Sequence, residues 1–274
     1  MAGGAERPAL RPSFLRNLWA NAVFSPRTSL GFMRLDFVLG TIFVIPFTQM
    51  VFFAFTVQLG GGSADAIQYV VVGNAVATVT YSSVFSVCQT TDSEKNQGTM
   101  EHLLVSPANR LALYLGRGLI PILVSLATVT VALSYAVTVF HVPMNLSEAP
   151  DLAVSIVLTA FAMVGFGLLL GGVALYLRTS IILGNIFLFI GLLFSGANFP
   201  LSDLPLPLQA VGYGLPLTWG LSAIRTALSG APFGQLLYLW TVLLIAFVAT
   251  LGMAMVLWDY FERRALSTGS IARF

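Results

Sequence analysis

Between Thr90 and Pro107 the chain reads TTDSEKNQGTMEHLLVSP, which places Asp92, Glu94, Lys95, Glu101 and His102 within eleven residues. Carboxylates, an ammonium and an imidazole at such spacing can exchange protons or dock a charged partner. Elsewhere such groups are scarce. The long apolar stretches on either side hold no Asp, Glu, Lys, Arg or His in their interiors. Serines occur in those stretches, but no histidine or lysine lies at depth to activate one as a nucleophile. The same absence removes the His, Glu and Asp clusters that an intramembrane protease requires. The single cysteine, Cys88, excludes a cysteine-rich metal site and an internal disulfide framework. No catalytic and no metal-ligating residue is assigned.

Composition defines the elements that hold the patch. Charged residues are 9% of the chain, hydrophobic ones 57%, and mean hydropathy is +0.88, against about 25% charge in a soluble domain. The class is an all-α integral membrane protein. Six segments have the roughly 20 apolar residues that a helix needs to cross a bilayer core. They run from Phe37 to Val57, Tyr69 to Val87, Gly118 to Phe140, Leu152 to Tyr176, Ile181 to Phe199 and Leu237 to Tyr260. None alternates with a period of two, so a helical bundle is expected. The fifth is short, and is expected to stand nearly upright or to lean on the segment after it.

With six spans both ends share a face, and that face carries twelve of the thirteen Lys and Arg residues, Arg225 falling on the other. The positive-inside rule makes the richer face cytoplasmic. Both termini and the patch are then cytoplasmic, in a multi-pass protein of the cell membrane in contact with its lipids. The expected organisation is one transmembrane domain over 1–274, with an N-terminal segment 1–36, a bundle 37–260 and a tail 261–274. Arg11 to Phe24 puts Phe14, Leu15, Leu18, Trp19 and Ala22 on one helical face. That reads as an amphipathic helix lying along the inner surface, the alternative being a frayed basic tail. No cleavable signal peptide is evident, because the first 36 residues hold five arginines and no compact apolar core.

Gln49, Asn74, Thr78, Asn185 and Asn198 are neutral polar residues inside the expected spans. Two roles are open to them: hydrogen bonds between helices, or the lining of a weakly polar substrate path. A transporter driven by protons or sodium usually needs an ionisable group at depth, and none is present. No G-x-x-x-x-G-K-[ST] phosphate loop occurs either, so no nucleotide-binding domain is expected and any driving energy has to come from another chain.

Glu94-Lys95-Asn96-Gln97-Gly98-Thr99-Met100-Glu101-His102-Leu103-Leu104-Val105-Ser106-Pro107, followed by Leu115-Gly116-Arg117, resembles the signature of the ATP-binding-cassette type-2 permeases. These are the membrane subunits of a class of exporters. A second stretch is similar to the family's outer segment, in which short re-entrant helices lie between spans 5 and 6. It comprises Phe199-Pro200, Leu204-Pro205, Leu208, Leu215-Pro216-Leu217-Thr218-Trp219, Arg225, Leu228 and Gly230. Asn96 stands where the family often has an acidic residue, and Leu215 where it often has Asn.

The resemblance implies a permease subunit of an exporter working by alternating access. Its partners would be two copies of a separate ATPase, which bind the ATP and Mg2+ while this chain binds no cofactor, and a second permease, identical or homologous. Asp92, Ser93, Glu94, Lys95, Asn96, Gln97, Gly98, Thr99 and Glu101 would form the loop that couples to the ATPase. Leu208, Pro216, Trp219, Ile224 and Arg225 would form an outer re-entrant gate, Arg225 otherwise being an exposed loop charge. The apolar interior suits a hydrophobic or amphipathic substrate: a drug, an antibiotic or a lipid-like natural product. Export of a lipid-linked polysaccharide, or a structural or regulatory subunit that moves nothing, are the alternatives. Nothing points to a nucleic-acid partner.

The charge asymmetry makes a topological prediction. A cysteine replacing Ser63, Ser147 or Ser229 reacts with an impermeant thiol reagent applied to intact cells, and one replacing Ser93 or Ser267 does not. Labelling at position 93 contradicts the orientation.

Overall fold

A computed structural model of the chain describes residues 38–88, 110–174 and 180–268, and every regular element among them is helical. In chain order they are α1 Gly40–Leu59 and α2 Ala64–Cys88, α3 Arg110–Thr138 and α4 Ala149–Ala174, and α5 Ser180–Phe194. The short helices α6 Leu206–Tyr213 and α7 Pro216–Leu228 follow, then α8 Phe233–Thr268. Five of these, α1 to α4 and α8, are long and apolar enough to cross a membrane. The amphipathic segment Arg11 to Phe24 and the whole patch from Asp92 to Glu101 lie outside the described residues.

The fifth expected span differs from its sequence reading. It is helical over only 15 residues, roughly 22 Å at 1.5 Å per residue, against a bilayer core of about 30 Å. Beyond Phe194 the backbone turns at Gly196, whose φ of +83° is left-handed and is accessible to glycine without strain. The chain then runs through a single 3-10 turn, Leu201–Asp203, into α6. At Gly212, α6 comes so close to the end of α5 that a β-carbon there would overlap the Phe194 carbonyl oxygen. The short helix thus leans on the segment that follows it.

Local chemistry sets the other ends. Ser63 caps α2, its Oγ accepting from the Ala66 N–H at 3.2 Å, and Asp65 follows in the positive first turn. The cap starts the helix five residues ahead of the apolar window that begins at Tyr69. Pro46 has no N–H to donate, and α1 carries a π-helical turn over Gly40–Val44 just before it. A second π-helical turn, Tyr81–Phe85, lies in α2. Beside it the hydroxyls of Ser82 and Ser83 donate back to the carbonyls of Thr78 and Val79, competing with the regular ladder.

The core forms around α2. Residues Val70 to Thr80 are buried on every side of the helix, enclosed by α1, α3, α4, α5 and α7. Small side chains there let the neighbours approach closely. The outer faces of α1 and α8 carry apolar side chains with nothing against them, Phe52 63% and Ile245 67% exposed among them, as suits helices whose surroundings are lipid.

The most extensive helix pairing is α4 with α8. Gly165 and Gly172 of α4 make room for Phe247, Thr250 and Trp258 of α8. Trp240 Nε1 donates to Ser155 Oγ across the same interface at 2.9 Å. Gly167, the first residue of the Gly-x-x-x-Gly spacing in α4, faces Ser83 and Val84 of α2.

A β-carbon at Gly165 would lie 2.6 Å from Thr250 Oγ1 and 2.9 Å from Phe247 Cδ2, whereas one at Gly252 would meet nothing within 4 Å. Gly165→Leu therefore overpacks the α4–α8 interface, at a cost of about 1–3 kcal/mol, and Gly252→Leu does not. Apparent melting temperature in detergent checks this: a drop of several degrees for the first and little change for the second. Equal shifts would contradict the packing.

Candidate functional site

Two clusters meet where α5 ends. The deeper one centres on Asn74, which is fully buried in α2. Asn74 lies ten residues after Ala64, roughly 15 Å down the helix. Its Nδ2 donates to the Val70 carbonyl at 2.9 Å and to Asn198 Oδ1 at 2.8 Å, and its Oδ1 accepts from Gln49 Nε2 at 3.0 Å. Asn198 Nδ2 in turn donates to the Leu192 carbonyl at 3.1 Å, in the last turn of α5. An unpaired amide would be costly away from water, so three amides that satisfy one another also fix the geometry of α1, α2 and the end of α5.

Three of the five polar residues singled out in the spans are therefore brought together: Gln49, Asn74 and Asn198. Thr78 is buried and spends its hydroxyl on its own helix, donating to the Ala75 carbonyl at 2.6 Å. Asn185 is half-buried on α5.

The second cluster lies one turn or more toward the start of α2, around Arg225 of α7. Arg225 Nη1 donates to the Gly196 carbonyl at 2.9 Å, and Nη2 donates to the carbonyls of Tyr69 at 3.0 Å and Ala197 at 3.3 Å. The guanidinium carbon sits 3.5 Å from the centroid of the Tyr69 ring, a cation–π arrangement. Tyr69 OH donates to the same Gly196 carbonyl at 3.0 Å. The Arg225 Nε is buried and has no hydrogen-bond partner.

Arg225 is thus neither an exposed loop charge nor a side chain reaching for the headgroups. It points inward, to carbonyls of the turn just beyond α5 and of Tyr69 in α2, near a helix C-terminus, whose dipole favours a cation. Close approach makes this possible. A β-carbon on Gly73 would overlap the Ala197 carbonyl oxygen and stand 2.8 Å from Arg225 Nη2.

The rest of α7 positions that arginine. Pro216 occupies the first helical position, where its missing N–H costs nothing. Leu217, Leu221 and Ile224 form a buried face at helical spacing, and Gly220 presses against Thr159 of α4. Thr218 Oγ1 donates to the Gly212 carbonyl at 2.6 Å and Trp219 Nε1 to the Tyr213 carbonyl at 2.9 Å, tying α7 to α6. Of the residues expected at an outer gate, Pro216 and Ile224 are buried, Trp219 and Arg225 are intermediate, and Leu208 on α6 is exposed. Tyr69, Gly73 and Gly196 were not singled out by sequence. A tyrosine at the start of an apolar window and a glycine next to an asparagine inside it were the available signals.

The arrangement offers hydrogen bonds and one partly buried cation, and no nucleophile beside a base. Among the described residues no group of three His, Cys, Asp or Glu could hold a metal ion.

Comparison with known proteins agrees with this architecture. The profile of the family described as ABC-2 type transporter matches residues 23–229, a range that takes in the polar patch, both clusters and α7. Two proteins named "Probable multidrug ABC transporter permease YbhR", from Escherichia coli strain K12 and Escherichia coli O157:H7, are each 27% identical to this chain over 156 residues. That match covers 56% of this chain and 40% of theirs, so the chain aligns with well under half the length of these relatives. With a profile match over most of its length, the chain belongs to the ABC-2 type transporter family, as a multi-pass membrane protein.

Proposed function

We propose that this chain is the permease subunit of an exporter that moves hydrophobic or amphipathic small molecules outward, driven by a separate ATP-binding-cassette ATPase. The observation that carries the reading is the placement of charge. A member of this family with no phosphate-binding loop gathers Asp92, Glu94, Lys95, Glu101 and His102 between its second and third spans. That is the arginine-rich side of the chain, where an ATPase can reach. Two ATPase copies supply the ATP and Mg2+ chemistry, a second permease completes the pathway, and both termini lie in the cytoplasm of a cell-membrane protein. In this reading α5, short as it is, is the fifth of six spans, and α6 with α7 gates the outer side.

Force then enters through the loop holding Asp92, Ser93, Glu94, Lys95, Asn96, Gln97, Gly98, Thr99 and Glu101, and tilts α2 and α3, the helices on either side of it. Alternating access requires only that substrate bind one state better than the other. The neutral interior around Gln49, Asn74, Thr78, Asn185 and Asn198 favours an uncharged or weakly polar substrate over an ion, because none of these side chains is ionisable. A drug-like substrate also fits the name of the Escherichia coli relatives, a probable multidrug ABC transporter permease.

The test is coupling. Reversing Glu94 and Glu101 together, or Gly98→Pro, abolishes stimulation of the copurifying ATPase by a lipophilic dye and lowers dye export about tenfold or more. Insertion of the permease is unchanged. Export at the wild-type rate in the double reversal would exclude those carboxylates from coupling.

A further inference from the structure

We propose that Arg225 and Tyr69 form a latch that holds the outer ends of α2, α5 and α7 together and closes the route outward. This deepens the export reading above and rests on it for the word "outward". The bonds of Arg225 cross three elements: it is anchored in α7, reaches Gly196 and Ala197 beyond α5, and reaches Tyr69 in α2. Tyr69 closes the loop by donating to the Gly196 carbonyl that Arg225 also holds. Removing this one guanidinium would leave α7 without a polar tie to either neighbour in that group.

The chemistry suits a latch rather than a permanent rivet. All its partners are backbone carbonyls and an aromatic face, with no carboxylate, so opening separates no ion pair. The Nε–H is buried without a partner and gains one as soon as water enters. Tyr69 lies five residues past Ala64, roughly 8 Å into α2, shallow enough for that water to come from the outer side. The turn it holds, Gly196 and Ala197, lies between the end of α5 and Asn198, which is bonded to Asn74 and to the Leu192 carbonyl. Release at Arg225 therefore loosens that turn and frees α7 from it while the deeper amide cluster stays in place.

Ser195 provides a reporter. It is 1% exposed and its hydroxyl has no partner, so Ser195→Cys is close to isosteric and leaves no bond broken. Native Cys88, also buried, reports global unfolding in the same molecule. The full chain in lipid nanodiscs is treated with a sulfonated maleimide, and mass spectrometry follows each thiol separately.

Reaction at position 195 is slow in the Ser195→Cys background. It speeds up about tenfold or more with Arg225→Gln and by a smaller factor with Tyr69→Phe, while Cys88 stays unreacted. An unchanged rate in Arg225→Gln with Cys88 protected overturns the latch. Should Arg225→Gln expose Cys88 as well, Tyr69→Phe decides, since it removes one hydroxyl and keeps the ring: a faster reaction at 195 alone supports the latch and an unchanged one overturns it. The export reading is judged separately, by adding the copurifying ATPase and ATP to the Ser195→Cys background. Faster labelling during turnover agrees with it. No response to ATP, beside faster labelling in the two variants, leaves the latch standing and removes its role in export.

Discussion

A helix that stops inside a membrane protein leaves carbonyl groups with no water to receive, and the end of α5 is such a place. Its 15 residues end near the buried interior of α2, where Asn74 Nδ2 donates to Asn198 Oδ1. Irregular backbone at that depth is tolerated only where protein groups pair it. Here Asn198 takes the carbonyl of Leu192, Tyr69 that of Gly196, and Arg225 those of Gly196 and Ala197. The position of α7 follows from this need, because the arginine must arrive from an element packed against both α5 and α2. The glycine at 73 follows as well, since any side chain there would displace the carbonyl being satisfied.

The same constraint divides the bundle into parts of different character. α4 and α8 pair closely along a face opened by glycines, and α7 presses on α4 through Gly220. That pairing is mostly apolar, with the Trp240–Ser155 hydrogen bond as a polar contact across it. α2, by contrast, carries hydroxyls and amides through its buried length, with a π-helical turn at Tyr81–Phe85 toward its inner end. Such a turn marks a place where the helical ladder is already irregular. It lies between the patch-bearing loop and the amide cluster, on the helix that touches most of the others. In the proposed reading, a push on that loop reaches the junction at the end of α5 through α2.

Much of the fold could be read from hydropathy, because the segments called as spans 1 to 4 and 6 are continuous and flanked by turn-forming residues. The break in the fifth could not. A hydropathy window averages Ser195, Gly196 and Asn198 with the strongly apolar run before them and cannot register a left-handed φ. The prolines from Pro200 to Pro216 did mark the following segment as short pieces. The direction of Arg225 was hidden for a different reason. Sequence shows a cation in an outer segment, and only the tertiary approach of Gly73 to Ala197 creates acceptors for it. Gln49, Asn74 and Asn198 were recognisable as polar residues in apolar surroundings, but that they bond to one another depends on residues 25 and 124 apart in sequence.

The pairing of Arg225 with the carbonyl end of α5 can be measured directly in a bilayer. Solid-state NMR of the wild-type chain, with 13C at the Gly196 carbonyl and 15N in the Arg225 guanidinium, reads the dipolar coupling between them. A nitrogen-to-oxygen separation of 2.9 Å keeps the carbonyl carbon within reach of a recoupling experiment and predicts a measurable, unaveraged coupling in the resting protein. A weak or motionally averaged coupling, as for an arginine extended toward the headgroups, would contradict the account.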